Sequence, residues 1–333
     1  MEQSKVSESE RKFFFVFPGQ GSQYRGMGSD LVSEFESARE IFERSSEVVG
    51  YDMAARCFED PDGKLNLTRF TQPALVTHQL ACLAALQNLL GDTAAKPVLT
   101  AGHSLGEYSA LVVAGALTVE NAITLVKRRG ELMGEFGEGS MLATTLDFET
   151  AASLADKYFC GIGGCNLPEQ TVIAGPDADL EALSAEMADA YPRKRAIPLK
   201  TEGAFHTYLM VEAARRFREV LDKVEFSELE VDVLSNYTGT LHDADSRAIR
   251  SRLFFQLFNP VRWFACIQTA FEQNINCIVE FGGGIGSGEA PAEKRPNLES
   301  MIKKALKLSA YEADYFPAIN VAGIYAIADT LAE

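Results

Sequence analysis

The chain has 333 residues, of which 47% are hydrophobic and 23% charged, and its formal net charge is −16. This balance is typical of a globular protein with a large core, and we expect one large domain with a smaller insert. The negative charge argues against nucleic acid or an anionic membrane as a partner. We find no apolar run long enough to cross a bilayer and no signal-peptide core near the polar start. Because the six cysteines are scattered without metal-ligand spacing, we expect free thiols and a cytoplasmic protein.

Residues 1–11 are polar and charged, which predicts a flexible tail. The apolar run that follows, Lys12 to Phe17, is typical of a strand buried on both faces of a parallel sheet. A glycine-rich loop over 18–23 comes next and matches neither the Walker pattern nor G-x-G-x-x-G. We expect this loop to present backbone amides and Gln20 to a site. The next predicted helices are 34–49 and one that begins at Gln72-Pro73.

A G-x-S-x-G pattern over 102–106 lies between a β-prone approach (97–100) and a helix-like segment (107–116). In this context the serine stands on a sharp strand-to-helix turn, and the glycines let neighbouring backbone pass close by. The pattern predicts Ser104 as a nucleophile, with the amide of Leu105 placed to stabilise an oxyanion. A plain glycine-rich turn is the alternative, but the flanking strand and helix favour the nucleophile.

A helix predicted over 119–133 carries a basic run over 127–130. A solvated basic face is the usual explanation of such a run. Arg129, however, precedes a glycine and lies between apolar turns, so one of these arginines could point inward. Residues 139–202 then follow the order βαββαβ, which predicts an inserted ferredoxin-like subdomain.

The main domain resumes at residue 203, and its last buried strand is predicted over 277–281. Residues 285–299 are rich in glycine, proline and charge and predict a mobile loop. Beyond residue 311 only a terminal helix, 322–332, is predicted.

Strands that alternate with helices predict an α/β fold with a mainly parallel, α/β-hydrolase-like core. The expected division is a core over 12–138 and 203–310, the insert over 139–202, and a C-terminal extension over 311–333. Loops after parallel strands meet at one edge of a sheet, so the Gln20 loop, Ser104 and the loop at Gly282 are expected to converge on one site.

A serine hydroxyl needs a base to take its proton, and the chain has four histidines. His103 should point away from its neighbour Ser104, and His78 lies in a predicted helix, where a surface or core role is usual. His206 lies downstream of the serine, where the chain re-enters the main domain, and is favoured modestly over His242. Because no acidic residue stands out as a third triad member, the expected orienting group is a backbone carbonyl or an amide.

Several short motifs occur in a consistent order: Phe17-Pro18-Gly19-Gln20-Gly21-Ser22-Gln23, Gly102-His103-Ser104-Leu105-Gly106-Glu107, Arg129-Gly130, Ala204-Phe205-His206, and Gln256 before Asn259-Pro260-Val261-Arg262-Trp263. With them the chain closely resembles the malonyl-CoA:acyl carrier protein transacylases. This family includes free-standing enzymes of fatty acid synthesis and the acyltransferases of polyketide synthases. The resemblance covers roughly residues 12–284; each motif alone is weak, and together they are highly specific.

The resemblance implies an S-malonyltransferase with a ping-pong reaction. Malonyl would pass from CoA to Ser104 and then to the phosphopantetheine thiol of a holo acyl carrier protein. His206 would be the general base and then the acid, oriented by the carbonyl of Gln256. The amides of Gln20 and Leu105 would form the oxyanion hole. Malonyl-CoA is then a substrate, no metal or redox cofactor is implied, and relatives of this type are often monomeric.

Two further residues would set substrate choice. Arg129 would hold the malonyl carboxylate in a bidentate pair, and since a buried, unpaired arginine is costly, carboxylated acyl groups should be preferred over acetyl. Phe205 would crowd an α-methyl group and so favour malonyl over methylmalonyl.

The chain departs from the family pattern at Thr207-Tyr208, over 282–300 and after residue 307. These departures leave carrier-protein docking and any C-terminal partner open. Since carrier proteins are acidic, docking needs a basic patch; Arg193-Lys194-Arg195 and Lys303-Lys304 are candidates, and a solvated face explains both equally well.

Two other functions fit parts of the pattern. A proofreading acyl hydrolase of a polyketide pathway would share Ser104 and His206 and admit water after acylation. Arg129 favours transfer, because hydrolase-type relatives tend to lack this arginine. A non-catalytic docking protein is disfavoured by the intact Ser104, His206, Gln20 and Arg129. The sequence does not distinguish a fatty acid pathway from a polyketide pathway.

Overall fold

The computed structural model describes residues 11–91 and 96–332, so the predicted tail lies outside the described residues except for Arg11. The strands in these ranges are β1 (Phe13–Phe17), β2 (Pro97–Gly102), β3 (Ser140–Thr144), β4 (Gly161–Leu167), β5 (Gln170–Gly175), β6 (Ala196–Leu199), β7 (Asp232–Leu234), β8 (Cys277–Phe281) and β9 (Asp314–Ala318). The helices are α1 (Ser29–Glu34), α2 (Glu36–Val49), α3 (Met53–Phe58), α4 (Thr68–Leu90), α5 (Gly106–Val113), α6 (Val119–Glu135), α7 (Phe148–Lys157), α8 (Asp177–Ala190), α9 (Val211–Leu221), α10 (Ser246–Gln256), α11 (Trp263–Glu272), α12 (Glu299–Leu308) and α13 (Val321–Ala332).

A five-stranded sheet in the order β7-β2-β1-β8-β9 forms the large core, and all of its strand pairs are parallel. The central strand β1 is buried along its whole length. Phe15 and Phe17 pack on Phe281 of β8 on one face, while Phe14 and Val16 join α11 and α12 on the other. Burial on both faces explains why β1 is a continuous apolar run, and the predicted parallel α/β core is confirmed.

The insert forms a separate antiparallel sheet in the order β4-β5-β3-β6, with α7 and α8 packed on it. This order and the element sequence βαββαβ are those of a ferredoxin-like subdomain, which confirms the prediction. Its core includes Leu142 of β3, Ile173 of β5 and Leu183 of α8. The insert therefore has a hydrophobic core of its own beside the parallel sheet.

The parallel sheet does not end at β8, so the prediction of only a terminal helix beyond residue 311 is wrong. β9 pairs with β8 from Cys277↔Asp314 to Phe281↔Ala318. Pro317 lies inside β9, which is tolerated because β9 is an edge strand whose outer side needs no ladder donor. A short stretch with an internal proline carries little strand signal. The segment after residue 311 thus contributes β9 and α13 to the large core.

The helix predicted to begin at Gln72-Pro73 begins earlier, at Thr68, with Pro73 in its second turn. The carboxylate of Glu202 accepts a hydrogen bond from the amide of Thr68. A carboxylate at this position satisfies one of the free donors of the helix N-terminus and interacts favourably with the helix dipole. Since Glu202 lies far away in sequence, local pattern could not reveal this start.

The segment 285–299, which the sequence predicts as a mobile loop, is held to the sheet at its C-terminal end by a buried carboxylate. The amides of Asn297 and Leu298 donate to Glu280 of β8, at 2.7 and 3.0 Å, and the hydroxyl of Tyr315 of β9 donates to it as well. Ile285 and Arg295 form an antiparallel bridge. Burial raises the pKa of Glu280 to about 7, although these hydrogen bonds oppose the shift.

No helix in the described ranges is long and apolar enough to cross a membrane. The six cysteines are all free thiols, and five of them are buried. The expectation of free rather than disulfide-bonded cysteines is confirmed.

We predict that Glu280 makes stability depend on pH. Because its pKa is higher folded than unfolded, its contribution is fully present at low pH and is lost as pH rises through about 7. Glu280→Gln stays neutral at every pH, and its amide can donate to the hydroxyl of Tyr315. Relative to the variant, the wild type should lose about 2 kcal/mol of unfolding free energy between roughly pH 5 and pH 8.

Urea unfolding of both proteins at the two pH values measures this difference. The exposed Glu149→Gln serves as the control, and it should shift with the wild type. A wild-type-to-variant difference that is the same at both pH values would contradict the prediction.

Candidate active site

Ser104 stands on the turn between β2 and α5, with a left-handed backbone of φ 52°. A Cβ at Gly102 would collide with the backbone of Gly106, and one at Gly106 would collide with the carbonyl of Phe17. Only glycine therefore allows β2, the turn and β1 to come this close. The amide of Ser104 donates to Asn236 Oδ1 at 2.6 Å, which anchors the turn. This arrangement is the strand-turn-helix elbow that exposes a serine hydroxyl.

His206 lies beside the serine, with its Nε2 at 2.8 Å from Ser104 Oγ. Its Nδ1 is 2.7 Å from the backbone oxygen of Gln256, which can only accept a hydrogen bond. The proton of a neutral imidazole is therefore on Nδ1, and the lone pair of Nε2 faces the hydroxyl. His206 also has a left-handed backbone, with φ 66°. The pair has the geometry of a nucleophile and its general base, and a carbonyl stands where many triads have an acid.

Burial first, and the positive charge of Arg129 second, together lower the pKa of His206 to about 3. The free site therefore holds a neutral imidazole well below the usual pKa of histidine. A neutral ring is the form that can accept the serine proton.

Arg129 of α6 is only 1% exposed, so the arginine of the basic run does point inward. Its guanidinium donates to Gln72 Oε1 at 2.9 Å, to Ser104 Oγ at 3.0 Å and to Gln256 Oε1 at 3.1 Å. Burial lowers its pKa. Its Nε has no partner within the described residues, so donor capacity is left for an anion. The site presents a fixed positive charge next to the serine hydroxyl.

The amides of Gln20 and Leu105 donate to no other group in the part of the chain that the structure describes. Both residues line the same cleft as Ser104. The Gln20 loop is held by Gln79 of α4, whose Nε2 donates to the carbonyl of Pro18 at 2.7 Å. Two free amides near a serine hydroxyl are what an oxyanion hole requires.

The cleft has a volume of about 840 Å³ and lies between the two subdomains. The core contributes Gln20, Ser104, Arg129 and Phe205, and the ferredoxin-like insert contributes a wall from β3, β4, β5 and β6. Such a volume suits a ligand of the size of an extended thioester arm. In the described ranges no three histidine, cysteine or acidic side chains are grouped so that they could hold a metal ion.

The other three histidines have structural partners. His103 points away from the serine, with Nε2 at 2.9 Å from Asn166 Oδ1. His78 Nδ1 accepts from the amide of Gly283 at 3.0 Å. His242 is buried against Glu107, at 2.7 Å. The alternative base, His242, is therefore engaged with a carboxylate rather than with the serine.

Four residues that support the site were not assigned a role from the sequence: Gln72, Gln79, Glu107 and Asn236. Asn236 comes just after β7, at the carboxyl edge of the sheet, where a polar residue is itself a site signal. Glu107 belongs to the serine motif, but the motif does not show which residues its side chain contacts. Gln72 and Gln79 lie in the buried, largely apolar helix α4, where a polar residue needs a partner.

The elbow serine, its histidine and the two free amides define an enzyme of the serine acyl-transfer class, which includes hydrolases and transferases. The acyl transferase domain model matches residues 14–281. The chain belongs to the acyl transferase domain family and, within it, is a relative of the malonyl CoA-acyl carrier protein transacylases.

Two relatives illustrate this similarity. The malonyl CoA-acyl carrier protein transacylase of Bacillus subtilis is 37% identical over 282 residues, covering 82% of this chain and 87% of the relative. The polyketide biosynthesis protein ThaF of Burkholderia thailandensis is 38% identical over 286 residues, which are 84% of this chain and only 24% of that protein.

The solved structures that resemble this chain include transacylases of the same kind. The malonyl CoA-acyl carrier protein transacylase of Clostridium perfringens superposes with a TM-score of 0.86 at 32% identity, covering 96% of this chain and 97% of the other. A malonyl-transacylase solved in complex with its type II PKS acyl-carrier protein gives a TM-score of 0.84 at 33% identity, covering 96% and 99%.

We predict that the base titrates well below the usual pKa of histidine. Since burial and Arg129 keep His206 neutral, the single-turnover rate of serine acylation should change little between about pH 5.5 and pH 8. Rapid quenching followed by intact-mass analysis measures this rate. A fall in rate with an apparent pKa near 6.5 would show that the imidazole is solvated and would contradict the prediction.

Proposed function

We propose that the protein is a malonyl-CoA:acyl carrier protein S-malonyltransferase that works through an ester on Ser104. One observation carries the proposal beyond acyl transfer in general: a buried arginine donates to the hydroxyl of the nucleophile, at 3.0 Å. An acyl group with a carboxylate at its far end satisfies this charge, whereas acetyl leaves it unpaired in a desolvated site. The relatives' activity agrees with this chemistry.

In the first half-reaction, Ser104 Oγ attacks the thioester carbonyl of malonyl-CoA while His206 Nε2 takes the hydroxyl proton. The negative charge that develops on the carbonyl oxygen is held by the amides of Gln20 and Leu105. The carbon–sulfur bond then breaks, and His206 returns the proton to the departing CoA thiolate. The imidazolium is stabilised by the carbonyl of Gln256, which accepts from Nδ1.

The second half-reaction reverses these steps with another thiol. The phosphopantetheine thiol of a carrier protein gives its proton to His206 and attacks the Ser104 ester. The same two amides hold the second oxyanion, and its collapse restores the serine hydroxyl with the proton from His206. No metal or redox cofactor takes part, because each step moves only a proton and an acyl group.

The partners are malonyl-CoA and a holo acyl carrier protein, in line with the carrier-protein complex of a related transacylase. A cytoplasmic location and a monomeric state stay predictions of the sequence. Phe205, which lines the cleft, is the residue proposed to favour malonyl over methylmalonyl.

The central prediction is a malonyl ester on Ser104 that moves to a carrier protein. Intact-mass analysis after mixing with malonyl-CoA should show an adduct of one malonyl group, because the serine attacks the thioester. The adduct should be absent from Ser104→Ala. Adding a holo carrier protein should discharge the enzyme and transfer the same mass to the carrier.

Acetyl-CoA serves as the matched substrate control and should load far less. An adduct that is lost to water at the same rate with and without the carrier would identify an acyl hydrolase instead. No adduct at all from any acyl-CoA would sink the proposal.

We also predict that Arg129 selects the carboxylated acyl group. In Arg129→Ala, kcat/KM for malonyl-CoA should fall roughly 100- to 1,000-fold, because a charge-assisted, desolvated pair is lost. The value for acetyl-CoA should change less than roughly tenfold, since acetyl makes no such pair. Arg128→Ala is the control, because Arg128 is on the same helix, half exposed and paired with Glu131. An equal loss for both substrates would mean that Arg129 only supports the fold of the site.

A further inference from the structure

Behind the serine elbow lies a buried carboxylate that the reaction outlined above does not use. Glu107, in the first turn of α5, is fully buried. Its Oε1 is 2.7 Å from His242 Nε2. Its Oε2 accepts from the amide of Asn236 at 3.0 Å and from Gln256 Nε2 at 2.8 Å. Three elements distant in sequence therefore meet at one side chain.

The hydrogen bonds define the charge of this pair. The groups that contact Oε2 are both donors, which is the environment of an ionised carboxylate. His242 Nδ1 has no partner among the described residues. A proton there would be a buried donor without an acceptor, so it is Nε2 that donates to Glu107. With three donors around it, the carboxylate of Glu107 is the negative group of this cluster.

Glu107 reaches the nucleophile through both of its Oε2 donors. Asn236 accepts from the amide of Ser104 at 2.6 Å, and Gln256 Nε2 also donates to the carbonyl of Ser104 at 3.1 Å. Both backbone groups of the strained serine are thus held by residues that Glu107 holds. Gln256 in turn orients His206 through its backbone carbonyl.

The side-chain amide of Gln256 also connects Glu107 to the buried cation. Its Oε1 accepts from Arg129 at 3.1 Å, and its Nε2 donates to Glu107. The amide dipole is therefore aligned between a positive and a negative group, which stabilises both. Within the described residues Arg129 has no carboxylate of its own at ion-pair distance, so Glu107 is the buried counter-charge nearest to it along this chain of bonds.

We propose that Glu107 is the positioning residue of the site and the counter-charge of Arg129 in the resting enzyme, acting through Gln256 and Asn236. This inference rests on the proposed roles of Ser104, His206 and Arg129. Glu107 touches no reacting atom. It holds the backbone of the nucleophile, and its negative charge offsets the positive charge on the imidazolium that forms during acylation.

The charge acts in opposite directions on binding and on reaction. It stabilises the imidazolium, so its removal slows acylation. It repels the malonyl carboxylate held by Arg129, so its removal does not weaken substrate binding. A variant that only loosened the fold of the site would instead slow the reaction and weaken binding together.

Glu107→Gln tests this split, because it removes the negative charge while the amide oxygen can still accept from Asn236 and Gln256. The new NH₂ faces His242 Nε2, so the ring proton must move to Nδ1, where it has no acceptor among the described residues. Single-turnover acylation is measured against malonyl-CoA concentration. The maximal rate should fall roughly 10- to 100-fold, with a half-saturating concentration that is unchanged or lower. Glu107→Asp keeps the charge and should recover part of the rate. Glu120→Gln is the control and should match the wild type, because Glu120 of α6 is partly exposed and pairs with Arg44.

The inference would be overturned if folded Glu107→Gln reacted at the wild-type maximal rate. It would also be overturned if the maximal rate fell and the half-saturating concentration rose by the same factor. If Glu107→Gln does not fold, Glu107→Asp decides: it keeps the charge but withdraws the carboxylate from Asn236 and Gln256, and it should lower the maximal rate about three- to tenfold at unchanged half-saturation. An unchanged rate there would also overturn it. Failure of the proposed function is distinguishable, because then the wild type itself forms no ester on Ser104.

Discussion

The rest of this site depends on the buried positive charge of Arg129. Arg129 is 1% exposed, and its neutral partners, Gln72, Gln256 and Ser104, accept hydrogen bonds from its two terminal nitrogens without cancelling its charge. Desolvation of such an ion is costly, which its lowered pKa reflects. An anionic group bound in the cleft would recover this free energy, and this is the basis on which we propose that Arg129 selects a carboxylated substrate. Burial, together with this charge, lowers the pKa of His206 and keeps it neutral and ready to accept a proton.

The parallel sheet brings these groups together because its loops meet at one edge. β1 leads to the Gln20 loop, β2 to Ser104 and β7 to Asn236. Ser104 and His206 both have left-handed backbones, which cost about 1 to 3 kcal/mol each in residues other than glycine. Asn236 and Gln256 hold the backbone of the serine from both sides and so maintain the strained turn. These two hydrogen bonds at the sheet edge thus hold the serine in its strained conformation.

What the sequence could predict depended on whether the signal was local. The buried strand β1, the elbow at Ser104 and the βαββαβ insert all follow from short patterns, and the structure has each of them. β9 escaped prediction because it is short and contains Pro317 at a sheet edge, and the start of α4 is capped by a glutamate from residue 202. The hydrogen-bond network around Glu107 could not be predicted for the same reason, because its partners come together only in the folded chain.

The position of the insert bears on why such a site would transfer an acyl group rather than hydrolyse it. A serine and a histidine alone react with any nucleophile that reaches the ester, and water is the most abundant one. Here the ferredoxin-like sheet contributes one wall of the cleft, with Met141 and Val172 facing the space next to Phe205 and Met133. These apolar side chains give water few partners along this part of the wall, while a long thiol-bearing arm displaces it from the cleft. Selectivity against hydrolysis therefore depends on how closely the two subdomains enclose the arm. Residues of the insert that take no part in the reaction thus help to determine its outcome.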